Sequence, residues 1–156
     1  MSPLLRTEDV PLLPGLGAIR LRAGHAGAQR VVRWPYVAEN RSFTPWIKGG
    51  ELVFITGIGR HHSVDNLFEL LYEGVAAKVA GLVILTGDAY IGRLPAALLK
   101  LADQQQLPLL EQPYSLPMVT VTEVIGRAIV QREQLAWRDA ESRAGSLLEK
   151  LQLRIG

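Results

Sequence analysis

The sequence predicts an α/β fold: a mostly parallel sheet with helices on both faces, an amino-terminal hairpin and a long carboxyl-terminal helix. Three observations carry that prediction. Two apolar runs end in the same way, Phe54-Ile55-Thr56-Gly57 and Ile84-Leu85-Thr86-Gly87, and the thirty-residue offset from one to the other matches one strand-helix-strand crossover. Between the runs, Val64, Leu67, Phe68, Leu71, Val75 and Val79 recur at three- and four-residue spacing, which gives a helix one apolar face. From Pro117 onward a single helical pattern continues without a further strand. Residues 1–116 therefore read as the α/β domain, and 117–156 as a helix that packs on it and projects as a linker or dimerisation element.

The elements follow in order. Thr7-Glu8-Asp9 reads as a helix start, with a capping hydroxyl and acids in the first turn, and Pro11 and Pro14-Gly15 end it early. Ile19 and Leu21 alternate with Arg20 and Arg22, the period of a half-buried strand. Gly24 to Gly27 is the expected turn and Val31 to Ala38 the return strand, which together make the hairpin. A loop with Pro45, Trp46 and Gly49-Gly50 leads to the strand Leu52 to Ile55. Its proline fixes direction on one side, and its glycines permit positive φ on the other. Ser63 is the expected N-cap of the first helix, and Gly81 follows its end. Leu82 to Leu85 is continuously apolar, as in a strand covered on both faces. Leu94 to Gln105 forms a second helix with Pro95 in its tolerant first turn, and Leu107 to Leu110 a short strand ending at Glu111-Gln112-Pro113. The last helix carries Val121, Val124, Ile125, Ala128 and Ile129 along one side, and Gly145 is a place where it could break.

Composition bounds the function. With 156 residues, 48% of them hydrophobic, the chain can bury the core of one domain. No apolar run approaches the roughly 20 residues that span a bilayer, and MSPLLRTEDV lacks the layout of a secretory signal. Cysteine is absent, so disulfides and thiolate metal sites are excluded, and a reducing, cytoplasmic setting is expected. A net charge of +2 is too small to predict a nucleic-acid surface, although seven of the 17 basic residues fall in the first fifty positions.

Both Thr-Gly ends fall on the carboxyl edge of a parallel sheet, where open α/β sheets hold their ligands. Thr56 and Thr86 offer hydroxyls, and Gly57, Gly59 and Gly87 offer backbone N–H groups, beside the amino end of the helix that starts near Ser63. Glu39 follows a strand and could orient a polar ligand, and surface solvation explains it as well. Trp46 reads either as the wall of a pocket or as a plug at the end of the sheet. Gly57-Ile58-Gly59 starts like a dinucleotide fingerprint, but His62 stands where the third glycine belongs. Adjacent His61 and His62 diverge, so no metal site is expected, and no nucleophile, base or paired carboxylates point to catalysis.

Arg33-Trp34, Val37, Glu39, the run Pro45-Trp46-Ile47-Lys48-Gly49-Gly50-Glu51-Leu52-Val53 and Thr56-Gly57-Ile58-Gly59 resemble the amino-terminal domain of the purine catabolism regulator (PucR-like) family of bacterial transcription regulators. The resemblance extends more loosely from about Thr7 to about Gln131. Family members carry aspartate-proline before the Trp loop, where this chain has Arg41-Ser42-Phe43-Thr44. The resemblance implies a metabolite-sensing regulatory domain, with no cofactor, that controls transcription through a DNA-binding module outside this chain. The expected partners are a small polar metabolite held by Glu39, Trp46, Thr56, Gly57, Gly59, Thr86 and Gly87, and a second copy joined through the long helix. The alternatives are an interaction domain with an empty pocket and a small enzyme.

Overall fold

The computed structural model describes residues 4–39, 42–56, 64–87 and 91–155. Five strands form one sheet in the order β1-β5-β4-β3-β2: β1 (Arg20–Ala23), β2 (Pro35–Ala38), β3 (Leu52–Ile55), β4 (Gly81–Thr86) and β5 (Leu109–Pro113). β2, β3, β4 and β5 run parallel, and β1 is antiparallel on the outer side of β5. Among the described residues there are three α-helices: α1 (Val64–Ala77), α2 (Ala96–Gln105) and α3 (Met118–Ile155).

The alternation of side chains along each strand divides the core in two. Val53, Ile55, Leu82, Ile84 and Leu109 join Leu67, Leu70 and Leu71 of α1 and Leu98 and Ala102 of α2 on one face. Leu52, Phe54, Val83, Leu85 and Leu110 meet Val121, Ile125, Ala128 and Ile129 of α3 on the other, together with Val10, Leu16 and Ile19 of the amino-terminal segment. Every residue of β3 and β4 is buried, which is why these strands read as unbroken apolar runs.

The expected hairpin does not form, and this is the main correction to the fold. β1 pairs with β5 and β2 with β3, so the two strands lie on opposite edges of the sheet. Alternation reports that a strand is half-buried and says nothing about its partner. What fixes β1 is the close approach of Gly24, at φ +73°, to the chain entering β5: a Cβ there would lie 1.9 Å from the Leu107 carbonyl oxygen. The Gly24 N–H also donates to Asp103 Oδ1 at 2.7 Å. Val31 makes an isolated bridge to Arg6, and β2 starts only at Pro35. The amino-terminal helix start is a 3-10 turn over Thr7–Leu12.

Gly49 and Gly50 do take positive φ, at 107° and 83°. The Gly50 N–H reaches the Lys78 carbonyl at 2.8 Å, so the double glycine seats the loop against the end of α1. Gly145 does not interrupt α3, whose 38 residues give a rod of about 57 Å. Strands of four to six residues span only about 13–20 Å, so α3 outruns the sheet it covers.

Candidate functional site at the carboxyl edge of the sheet

Parallel pairing puts the ends of β2, β3, β4 and β5 on one edge, which brings Glu39, Thr56, Thr86 and Gly87 to the same rim. β3 and β4 are neighbours, with Ile55 level with Ile84, so Thr56 is level with Leu85 and Thr86 stands one residue further out. Their side chains diverge, however. By strand parity Thr56 follows Leu52 and Phe54 toward α3, whereas Thr86 follows Leu82 and Ile84 toward α1 and α2. The two threonines thus mark two sides of one edge rather than a pair of converging hydroxyls.

Thr86 is 8% exposed, and its hydroxyl donates to Glu111 Oε2 at 2.7 Å. The other carboxylate oxygen of Glu111 accepts from Arg22 Nη1 on the edge strand β1. A charge-assisted chain therefore runs Arg22, Glu111, Thr86 across three strands on the face that carries α1 and α2. Tyr114 closes the rim: its hydroxyl donates to the Thr56 carbonyl, and its N–H donates to the Thr86 carbonyl at 3.0 Å. Its ring lies against Gly87, where an added Cβ would come within 3.2 Å of Tyr114 Cβ. The Gly87 N–H donates to the Ile91 carbonyl at 2.8 Å.

Glu39 is exposed at the end of β2. Burial, and then the charge of Glu39, push the Tyr36 phenol above its ordinary value of 10.0. Gly57 and Gly59 lie outside the described residues, as do Arg60, His61, His62 and Ser63.

Trp46 lies elsewhere. It ends a 3-10 turn over Thr44–Trp46 and is 61% exposed, so it does not plug the sheet. The turn is tied to Glu73 of α1, whose Oε1 accepts from Ser42 Oγ, the Phe43 and Thr44 N–H groups and Thr44 Oγ1 at 2.5–2.7 Å. α1 returns from the carboxyl edge to the amino edge, and Glu73 is nine residues past its first, about 13 Å along. That places Trp46 at the level of the amino edge, away from Thr56 and Thr86. Arg22 and Tyr114 are rim residues that carry no signal in the sequence, and Glu111 is weighed there only as a carboxylate with no partner at a fixed distance. Arg22 looked like the polar phase of a strand and Glu111 like a strand end.

An open, mainly parallel sheet covered by helices on both faces defines the class as an α/β domain, here with a polar chain at its carboxyl edge. Within that class, the chain belongs to the purine catabolism regulatory protein-like family, whose model matches residues 9–129. No curated protein matches it. Among solved structures, the chain is similar to the CBS and DRTGG domains of the regulatory region of Clostridium perfringens pyrophosphatase complexed with activator, diadenosine tetraphosphate. The likeness has a TM-score of 0.52 and 14% identity, over 78% of this chain and 46% of that one. The chain thus spans under half of that structure, and at this identity the likeness is one of fold.

Proposed function

We propose that this is the metabolite-sensing domain of a transcription regulator, in which a small polar ligand binds at the carboxyl edge beside Thr86, Glu111 and Arg22. The observation that carries the reading is the Arg22-Glu111-Thr86 chain, an ion pair and a hydroxyl at the edge where α/β sheets bind ligands. The family match supports a regulatory role, and the regulatory region of the pyrophosphatase, solved with a dinucleotide activator, supports a nucleotide or purine-related ligand. An anionic group would draw Arg22 from Glu111, while the Thr86 hydroxyl stays on Glu111 Oε2. A neutral amide would sit between them. Ligand binding then shifts a population of states, and α3 carries the change to a second copy and to a DNA-binding module outside this chain. The domain acts by binding and not by catalysis.

Titration of the chain with adenine nucleotides, purine breakdown products and small carboxylates, followed by thermal shift and calorimetry, tests this. At least one of these is expected to bind at or below millimolar concentration, with the affinity falling at least tenfold in Arg22→Ala and Thr86→Val. Binding that both variants leave unchanged would move the site elsewhere. A second reading, an interaction domain without a ligand, is favoured by the way Thr86 and Glu111 already satisfy each other. It predicts no response to any of these compounds.

A further inference from the structure

Trp34, Thr122, Gly126, Arg127 and Val130 line an apolar groove of about 400 Å³ along α3. Trp34 lies across Gly126, where an added Cβ would meet its Cη2 at 3.5 Å, so the outer face of the indole is one wall of the groove. Trp34 is 52% exposed and Val130 44%. Eleven residues after Gly126 stands Trp137, an indole left 71% exposed on the same helix. A bare indole and an apolar groove walled by another indole are shapes that fit each other, and a straight helix cannot bring its own Trp137 back to this groove.

The spacing extends the groove into a seam. From Gly126 the positions Val130, Glu133, Trp137, Ala140, Ala144 and Leu147 alternate four and three residues apart, a mean of 3.5, which is the repeat of a coiled coil. Glu133 is the one polar member. At 100° per residue this stripe is centred about 125° round the helix from Val121, Ile125 and Ala128, which α3 buries against the sheet, and it borders the buried Ile129.

Resting on the reading of α3 as the output element, we infer that a second copy of this chain covers the groove, with two α3 helices antiparallel and Trp137 of each seated against Trp34 and Val130 of the other. The residues choose the orientation. A parallel pair in register sets Trp137 on Trp137, Glu133 on Glu133 and glycine on glycine, which stacks like charges and leaves both grooves unfilled. The antiparallel pair that brings Val130 of one copy level with Glu133 of the other sets each Trp137 level with Gly126 of the other copy, beside the Trp34 that lies across it. It also brings Glu133 within a helical turn of Arg127, an exposed cation that its own chain pairs with Glu123 at 2.6 Å. Indole meets groove and acid meets base, twice, by one two-fold axis.

Sedimentation equilibrium of the full chain is expected to give a reversible dimer, and Trp137→Ala to weaken it at least tenfold. Because Trp137 is exposed, the variant keeps its fold, which its thermal midpoint checks. Orientation is read by disulfides, since the chain has no cysteine. In Glu123→Cys/Ala140→Cys, the antiparallel pair links position 123 to position 140 of the other copy, and a parallel pair links like to like. A monomer at hundreds of micromolar, a dimer indifferent to Trp137→Ala, or like-to-like links would each overturn the inference. Ligand titration of the same samples reads the sheet-edge site separately, so failure of the seam and failure of the sensor are distinguishable.

Discussion

Each end of the sheet sets a glutamate at a junction between elements, and the two are used differently. At the amino edge, one oxygen of Glu73 gathers four donors from the Trp46 loop. Nearby, Gly24 meets the Leu107 carbonyl and Gly50 meets Lys78, so backbone is packed on backbone. At the carboxyl edge, Glu111 holds one hydroxyl and one arginine, and Tyr114 reaches the Thr56 and Thr86 carbonyls. The comparison teaches that the most recognisable motif of the chain, Pro45-Trp46 through Glu51-Leu52, serves the closed end, while ordinary-looking residues furnish the open one. Substitutions should therefore cost stability at the amino edge and ligand response at the carboxyl edge.

The largest effect is expected for Gly24→Ala. The added Cβ would fall 1.9 Å from a backbone oxygen at a φ of +73°, so β1 must shift away from β5. Left-handed backbone costs about 1–2 kcal/mol and overpacking another 1–3; a loss of about 3 kcal/mol in denaturant unfolding is the expected result, and less than about 1 would show that this junction yields.

Glu73→Ala comes next, and it has a pH signature. Burial pushes the Glu73 carboxyl up, and the hydrogen bonds from Ser42, Thr44 and Phe43 more than reverse it, so its pKa lies below the ordinary 4.5. A depressed folded value means that the ionised latch stabilises the fold fully above the ordinary carboxylate range, and that this contribution fades as pH falls through the folded pKa. Bonds to a charged acceptor are worth about 1.5–3 kcal/mol, so the variant should lose about 2 kcal/mol at pH 7. Glu73→Gln should flatten the fall of the thermal midpoint between about pH 5 and pH 3; wild type and variant falling in parallel would remove the latch from the account.

The same contrast explains what the sequence disclosed. Burial on both faces makes β3 and β4 continuous apolar runs, and the repeated Thr-Gly ending marks their common edge, so the parallel core could be read directly. Helical spacing likewise exposed α1 and the buried face of α3. What could not be read was pairing over distance: Arg22 meets Glu111 across 89 residues, and the Ser42–Thr44 turn meets Glu73 across about thirty. On α1, Glu73 has the look of any solvated helix position, and nothing local tells a latch from a surface charge. Trp46 misled for a related reason, because a bulky residue between a proline and two glycines shows that a loop is shaped without showing at which end of the sheet it is anchored.

At the carboxyl edge the effects on stability shrink. Thr86→Val removes one buried donor and leaves Glu111 its arginine, which should cost about 1 kcal/mol; Arg22→Ala breaks a partly exposed pair, worth under about 1 kcal/mol. Both are expected to fall well short of Gly24→Ala in unfolding while abolishing or sharply weakening the ligand response.

Trp46→Ala is the smallest expected effect and the sharpest discriminator. With 61% of its surface already in solvent, its removal should change stability by no more than about 0.5 kcal/mol and leave ligand titration as in the wild type. Arg22→Ala should do the reverse, sparing the fold and losing the ligand. Were calorimetry to show the ligand lost with Trp46 and kept without Arg22, the binding end would have to be the one where Glu73 holds the loop, and the Arg22-Glu111-Thr86 chain would then be a strand-edge brace. The two variants interrogate opposite ends of one sheet, so their order of effect decides between those arrangements without knowledge of which ligand the cell supplies.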